Sequence, residues 1–346
     1  MDRDSRNIIR VSKVVTGGRE GAIRTRLHWA THLLWLLVIA SCETATPVAT
    51  RAPGARADLA REAPAEWSEP VNLGAPINTA AIESAPALSA DGLTLYFASD
   101  RPGGFGGTDL WVSHRATPES PWETPFNLGA TINTSDVESG PDLSPNGHLL
   151  FFQSSRPGGE GSNDIYVSYR ADAQDDLGWG DPVNVGPGVN TSSGEFGPWY
   201  SEEGADGPVL YFARGPNNTF TQLYSAPLTR DGSSRGPATP VAELNDPNVT
   251  QGRPTLLVDG REIVFYSNRP GGLGGSDLWT ATRRSVNDPW SPPVNLGAPL
   301  NSSAGELLPA LSRDGRTLLF TTNNRPGGLG GMDIWMSTRL PPGVVR

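Results

Sequence analysis

Trp67–Thr79 reads WSEPVNLGAPINT, and the stretch returns as WETPFNLGATINT at Trp122–Thr134, WGDPVNVGPGVNT at Trp179–Thr191 and WSPPVNLGAPLNS at Trp290–Ser302. A worn copy, PATPVAELND, begins at Pro237. Successive starts lie 53–58 residues apart. A repeat of that length, carrying several short strands, marks a propeller or a solenoid rather than five separate domains.

The residues between copies supply the strands. In the first unit, Glu83–Ser89 leads to the turn Ala90-Asp91-Gly92, and Leu93–Ser99 then alternates apolar and other residues. Asp-Gly between two such runs is a strong hairpin signal, because the tight turn needs positive φ. The turn recurs at Asn146-Gly147, Asp259-Gly260 and Asp314-Gly315. The loop Arg101–Thr108 (RPGGFGGT) is too rich in glycine for regular structure. Asp109–Arg115 is a third strand, and the segment Trp122–Gly129 a fourth. Four antiparallel strands per repeat make a propeller blade.

Chain ends supply an independent check on the ring. The first W-x-x-P-x-N-L-G strand, Trp67–Gly74, precedes any innermost strand, and the last unit stops at its third strand, Asp333–Arg339. The N-terminal strand therefore completes the last blade and removes two open sheet edges. The fold expected is all-β: a five-bladed propeller over 67–339, followed by a tail, 340–346.

The string S-x-D-G-x-x-L-x-F-x-S-x-R-P-G-G-x-G-x-x-D-[IL]-[WY] runs from Ser89 to Trp111 and recurs around Arg156-Pro157-Gly158-Gly159, Arg269-Pro270-Gly271-Gly272 and Arg325-Pro326-Gly327-Gly328. It resembles the WD-like repeat of TolB-type propellers, over nearly all of residues 67–339. The resemblance implies a periplasmic protein, often lipid-anchored. The third unit departs from it: Arg214-Gly215-Pro216-Asn217-Asn218 replaces the RPGG loop, and Gln222 the aspartate.

The N-terminus agrees with export. Basic residues end at Arg26, an apolar run Leu33–Ala40 follows, and Ser41 precedes Cys42, the lone cysteine of the chain. This is a signal-peptide pattern, too short for a comfortable membrane span. Ile39-Ala40-Ser41-Cys42 resembles a bacterial lipobox, which implies cleavage after residue 41 and lipidation of Cys42. Glu43 in the next position leans towards the outer membrane, on its periplasmic side. Residues 42–66, rich in Ala, Pro, Thr and Arg, read as a flexible tether. The chain carries 27 Lys+Arg against 37 Asp+Glu. Seven of the bases and three of the acids lie in residues 1–41, so the remainder is lysine-free with a net charge of −14. Such a chain is a poor partner for nucleic acid.

Two repeated constellations are candidates for chemistry. Arg101/Asp109, Arg156/Asp164, Arg269/Asp277 and Arg325/Asp333 flank the glycine loops. Calcium-loaded β-rolls carry a similar G-G-x-G-x-D string at a far shorter period, so no metal is expected here; the pairs read as structural, each aspartate tying down loop N–H groups or pairing with its arginine. The second set is a ring. Glu83, Glu138, Glu195 and Glu306 stand five residues after the Asn of each I-N-T segment, with Gln251 one step out of register in the fourth unit. Each precedes an innermost strand, which places the ring near the channel mouth. There it either binds a cation, a sugar or a basic segment, or fastens neighbouring blades.

Support for catalysis is thin. His114 and His148 do not make a zinc site, and no G-x-S-x-G elbow is present. Asp136, Glu202, Glu203, Asp206, Asp175 and Asp176 are not copied between repeats, but fall in loops expected to keep the surface wet. The aromatics Trp111, Tyr166, Tyr224, Trp279 and Trp335 recur with the repeat and read as blade packing. No cofactor is expected. The function expected is non-catalytic binding by an envelope lipoprotein, monomeric in its domain, whose loop face engages a protein, peptide or glycan. The alternatives are a carbohydrate-active enzyme with carboxylates at the channel mouth, and a purely structural lipoprotein.

Overall fold

A computed structural model describes residues 67–202, 207–216 and 220–339. The expected signal, lipidated Cys42, tether and C-terminal tail lie outside the described residues, as do Glu203, Asp206, Asn217 and Asn218.

Twenty strands form five four-stranded antiparallel sheets. Blade 1 holds β2 (Glu83–Leu88), β3 (Thr94–Ser99), β4 (Asp109–His114) and β5 (Phe126–Asn127). Blade 2 holds β6 (Glu138–Leu143), β7 (Leu149–Ser154), β8 (Asp164–Tyr169) and β9 (Val183–Asn184). Blade 3 holds β10 (Gly194–Ser201), β11 (Val209–Gly215), β12 (Gln222–Pro227) and β13 (Thr239–Pro240). Blade 4 holds β14 (Gln251–Leu256), β15 (Glu262–Ser267), β16 (Asp277–Thr282) and β17 (Val294–Asn295). Blade 5 joins the chain ends: β18 (Gly305–Leu311), β19 (Thr317–Asn323) and β20 (Asp333–Thr338) take β1 (Val71–Asn72) as their outer strand. Val71 pairs with Met336, Asn72 with Trp335, and Trp67 bridges to Arg339, which gives the closure predicted from the repeat phase.

Strand alternation here means burial on both faces. Leu95 and Phe97 of β3 pack with Ile77, Leu319 and Ile334 towards blade 5, whereas Tyr96 and Ala98 pack with Leu150, Phe152 and Tyr166 towards blade 2. Each leucine, isoleucine or phenylalanine among them contributes about 1.5–3 kcal/mol when removed from water. The stack of blades is thus one continuous ring of seams.

The outer strands are shorter than the sequence pattern suggests, two residues each. In blade 1 the ladder resumes on either side of a gap: Glu123 N donates to His114 O and Leu128 N to Leu110 O. Pro125 lies in the gap and has no N–H to give. Short outer strands also leave little free edge for another chain to pair with.

Each innermost strand carries a bulge at one position. Ala85, Gly140, Gly197, Arg253 and Leu308 all have positive φ, and all precede a proline. The ladder slips there in every blade, for example between Ser139 and Asp142. Such bulges re-aim side chains locally. Three of the five are non-glycine, a backbone cost of about 1 kcal/mol or more each.

Candidate functional site

The two ends of the central channel differ in kind. On the glycine-loop end, the predicted glutamates are brought into equivalent places but have no free carboxylate. Glu83 accepts Thr79 N–H at 2.7 Å, the Thr79 hydroxyl at 2.7 Å, the Ser99 hydroxyl at 3.2 Å and the Arg101 guanidinium at 3.1 Å. Glu138 repeats the set with Thr134, Ser154 and Arg156. Glu195 uses Thr191 and Arg214, and Glu306 uses Ser302 and Arg325. All four are fully buried. Burial pushes the Glu195 and Glu306 carboxyls up, against the pull of these donors. Gln251 is in register after all, since it pairs with Ser267 as Glu83 pairs with Ser99. One extra residue is absorbed in the loop before it. Its Oε1 takes Arg269 and Asp246 N–H. The ring fastens each interblade loop to its blade.

Of the two roles expected for the Arg/Asp pairs, the aspartates take the first, holding loop N–H groups, and the arginines turn elsewhere. The carboxylate partner of Arg101, Arg156 and Arg325 is the ring glutamate, while Arg269 meets Gln251. Each guanidinium also lies over the third-strand aromatic, as Arg101 does over Trp111 at 5.3 Å and Arg156 over Tyr166 at 4.9 Å. Asp109, Asp164, Asp277 and Asp333 instead accept loop N–H groups, from Phe105, Glu160, Leu273 and Leu329 respectively. The arginine is drawn to the glutamate because its fork reaches the carbonyls of the interblade loop at the same time, Ile132 O for Arg156 and Leu244 O for Arg269. Asp176 also corrects its reading as a wet surface acid. It is 8% exposed and sits in the seam between blades 1 and 2, where Tyr96, Arg170 and His114 all meet it.

The opposite end sets polar residues that occur once among leucines that repeat from blade to blade. A pocket there takes side chains from all five blades, among them Leu88, Asp142, Trp199, Leu256 and Arg313. Its closed volume is about 40 Å³, room for a few waters and not for a sugar ring. Asp142 is buried and accepts Tyr200 N–H at 2.7 Å. Burial pushes its carboxyl from an ordinary 3.8 up to about 7, against the pull of that hydrogen bond and of Arg253 and Arg313. Glu202 lies exposed in the pocket lining, and Arg313 feels its charge and that of Asp142.

Beneath the pocket, Arg253 crosses the channel. Its Nη2 donates to Pro86 O at 2.8 Å in blade 1 and to Pro141 O at 2.9 Å in blade 2. Gly140 and Gly197 make space for it: a Cβ at Gly140 would meet Nη1 at 3.0 Å, and one at Gly197 would meet its Cδ at 3.0 Å. Burial lowers the guanidinium to about 10. Its Nε and Nη1 have no hydrogen-bond partner among the described residues.

Sequence reasoning missed Asp142, Arg253 and Arg313. The signal lay in the innermost strands set one above another: Ala87, Asp142, Trp199, Thr255 and Ala310 are equivalent, and so are Ala85, Gly140, Gly197, Arg253 and Leu308. A larger depression of about 740 Å³ lies on the glycine-loop end, beside Leu273 and Arg325. It is an open surface, and the Arg325 fork is already committed to Leu300 O and Pro299 O.

No protein-family model matches the sequence, and no curated protein matches it significantly. Solved structures do match the fold. A GH43_1 enzyme from Xanthomonas citri aligns over 78% of this chain and 90% of its own, at a TM-score of 0.52 and 17% identity. An alpha-L-arabinofuranosidase from Lactobacillus brevis aligns over 77% and 92%, at 0.50 and 11%. The GH43 BlXynB protein from Bacillus licheniformis aligns over 77% of this chain and 54% of its own, at 0.50 and 14%. At these identities the likeness establishes the five-bladed propeller fold. It also corrects the expected function. The non-catalytic scaffold reading rested on family analogy, with the glutamate ring held open between a binding site and a fastener of neighbouring blades. The three structures named are glycoside hydrolases, the class held as the alternative, and the ring glutamates are consumed internally.

Proposed function

We propose that the propeller is a carbohydrate-active enzyme that hydrolyses glycosidic bonds at the pocket opposite the glycine loops. The observation that carries the reading is Asp142, a buried carboxyl that occurs in one blade only and is held near neutrality at about 7. A carboxylic acid with such a value is still partly protonated near neutral pH and can pass its proton to a leaving-group oxygen. Glycoside hydrolysis needs a second carboxyl, as base towards water or as nucleophile. Glu202, in the same pocket, supplies it. The small closed volume suits a water between them, with the sugar ring lying across the mouth beside the half-buried indole of Trp199. The fold shared with arabinofuranosidase and GH43 structures adds support by analogy.

The test uses the full chain against arabinan, xylan and pectin, with reducing-sugar release as the readout. Release by wild type, lost in Asp142→Asn, is the expected result. No release from any polysaccharide, or equal release by the variant, sinks the assignment. The lipobox-like tetrad supports an outer-membrane location for this activity, through lipidation of Cys42. Cys42→Ser should move the protein to the soluble fraction.

A further inference from the structure

Arg313 is the unspent cation of the pocket. The loop arginines on the other end of the channel each donate to a ring side chain or a carbonyl, as Arg156 does to Glu138 and Ile132 O. Arg313 is half-buried in the pocket lining and makes no hydrogen bond among the described residues. Holding a guanidinium at a pocket wall with no hydrogen bond to its donors carries a desolvation cost that the charges of Glu202 and Asp142 offset only in part. It is also singular: Ala90, Pro145, Glu202 and Val258 stand at the equivalent step of the other turns.

The surroundings reinforce it. Arg253 lies below with two further donors unpartnered. Asp142, the carboxyl nearest to compensating both, is held partly protonated near neutral pH. In a protein with an overall charge of −10, the pocket wall thus carries one guanidinium, Arg313, beside Asp142 and the exposed Glu202, with the Arg253 guanidinium beneath. The pocket is too small for a sugar ring but has room for one planar substituent. A carboxylate fits both the size and the charge. Arginine binds carboxylates through two parallel hydrogen bonds, a geometry that lysine cannot reproduce.

We propose that the pocket selects an acidic glycan, and that Arg313 receives the carboxylate of a uronic acid residue lying across its mouth. The proposal rests on the carbohydrate reading above and names its substrate class.

The test is binding of a galacturonic acid trisaccharide to the full chain, compared with the methyl ester of the same trisaccharide. The ester keeps every ring and hydroxyl, removes the charge and adds one methyl group per carboxyl, so Arg313→Gln serves as the control that separates charge from bulk. Wild type should bind the acid about 10- to 100-fold more tightly than the ester, as expected for a charge-assisted paired hydrogen bond. Arg313→Gln should abolish that preference by weakening acid binding far more than ester binding, while Arg313→Lys should restore only part of it. Ester binding equal to or tighter than acid binding overturns the acid selectivity and leaves the carbohydrate reading standing. A preference that survives Arg313→Gln overturns the role of Arg313. If neither trisaccharide binds, the uronate proposal falls, and the polysaccharide-release assay judges the carbohydrate reading separately.

Discussion

The two ends of the channel are made from the same five strands, yet one end is saturated and the other is not. At the glycine-loop end every ring position repeats, and its polar atoms are consumed by the loops they hold. At the other end Asp142, Glu202 and Arg313 occur once each, and their charges are only partly met. A residue copied into each blade must satisfy a need that each blade has, which is joining its loop to its neighbour. A residue present in one blade answers to something off the symmetry axis, and a ligand is such a thing.

The largest expected effect separates the ends by chemistry. Asp142→Asn keeps an acceptor for Tyr200 N–H but cannot donate an acidic proton. Turnover should fall by about 10²- to 10⁴-fold, the usual worth of general acid catalysis. The melting temperature should hold or rise. Comparable activity in the variant would move the chemistry elsewhere.

The converse change belongs at the other end. Glu138→Ala strips the partner from Arg156, Thr134 N–H and the Ser154 hydroxyl, all close to a fully buried carboxylate. Removing one member of such a pair costs about 3–5 kcal/mol. Denaturant unfolding should show that loss while the folded fraction keeps its turnover number. A loss of turnover without a loss of stability would mean that the ring has a share in the chemistry.

How far the sequence carried this contrast depends on which kind of signal each end leaves. The blade count, the closure through Val71–Asn72 and the equivalence of the ring glutamates were legible, because symmetry repeats its evidence five times. The destination of each side chain was not. Arg101 and Asp109 are near in sequence and look like partners, but the fork of Arg101 reaches back to the carbonyl of Ile77 and to Glu83, contacts set by the closed ring. Asp142 was overlooked for the opposite reason. It sits inside the recurring E-S-x-P-x-L frame, where a single odd residue looks like drift until the bulge beside it is seen to line the channel.

The third expectation is a pH dependence with a fixed sign. The folded state raises the Asp142 carboxyl from 3.8 to about 7, so it prefers the protonated form more than the unfolded chain does. The associated stability is fully present below about pH 4 and is lost as pH rises through 7. A shift of this size corresponds to about 4 kcal/mol. Wild type should therefore lose stability relative to Asp142→Asn between pH 4 and 8. Parallel curves for the two proteins would show that Asp142 ionises as freely as in the unfolded chain, and its role as the acid would go with that.

The smallest effect is the sharpest test of what the ring is for. Blade 4 already runs with an amide in place of the carboxylate: Gln251 accepts Asp246 N–H at 2.9 Å and Arg269 at 2.5 Å, and donates through its own NH₂ to Asp246 O at 3.2 Å. The fastening function therefore needs an acceptor of this reach, not a negative charge. Glu83→Gln should cost about 1–2 kcal/mol, because Oε1 keeps Arg101, Ser99 and the Thr79 hydroxyl, while the new NH₂ faces Thr79 N–H and leaves that one donor without its acceptor. Were the ring a site for cations or basic segments, removing a charge would matter to binding and hardly at all to stability. Thermal unfolding of Glu83→Gln beside Glu83→Ala distinguishes the two. A small loss for the amide and a large one for alanine mark a fastener, whereas equal and negligible losses would return the ring to the list of binding sites.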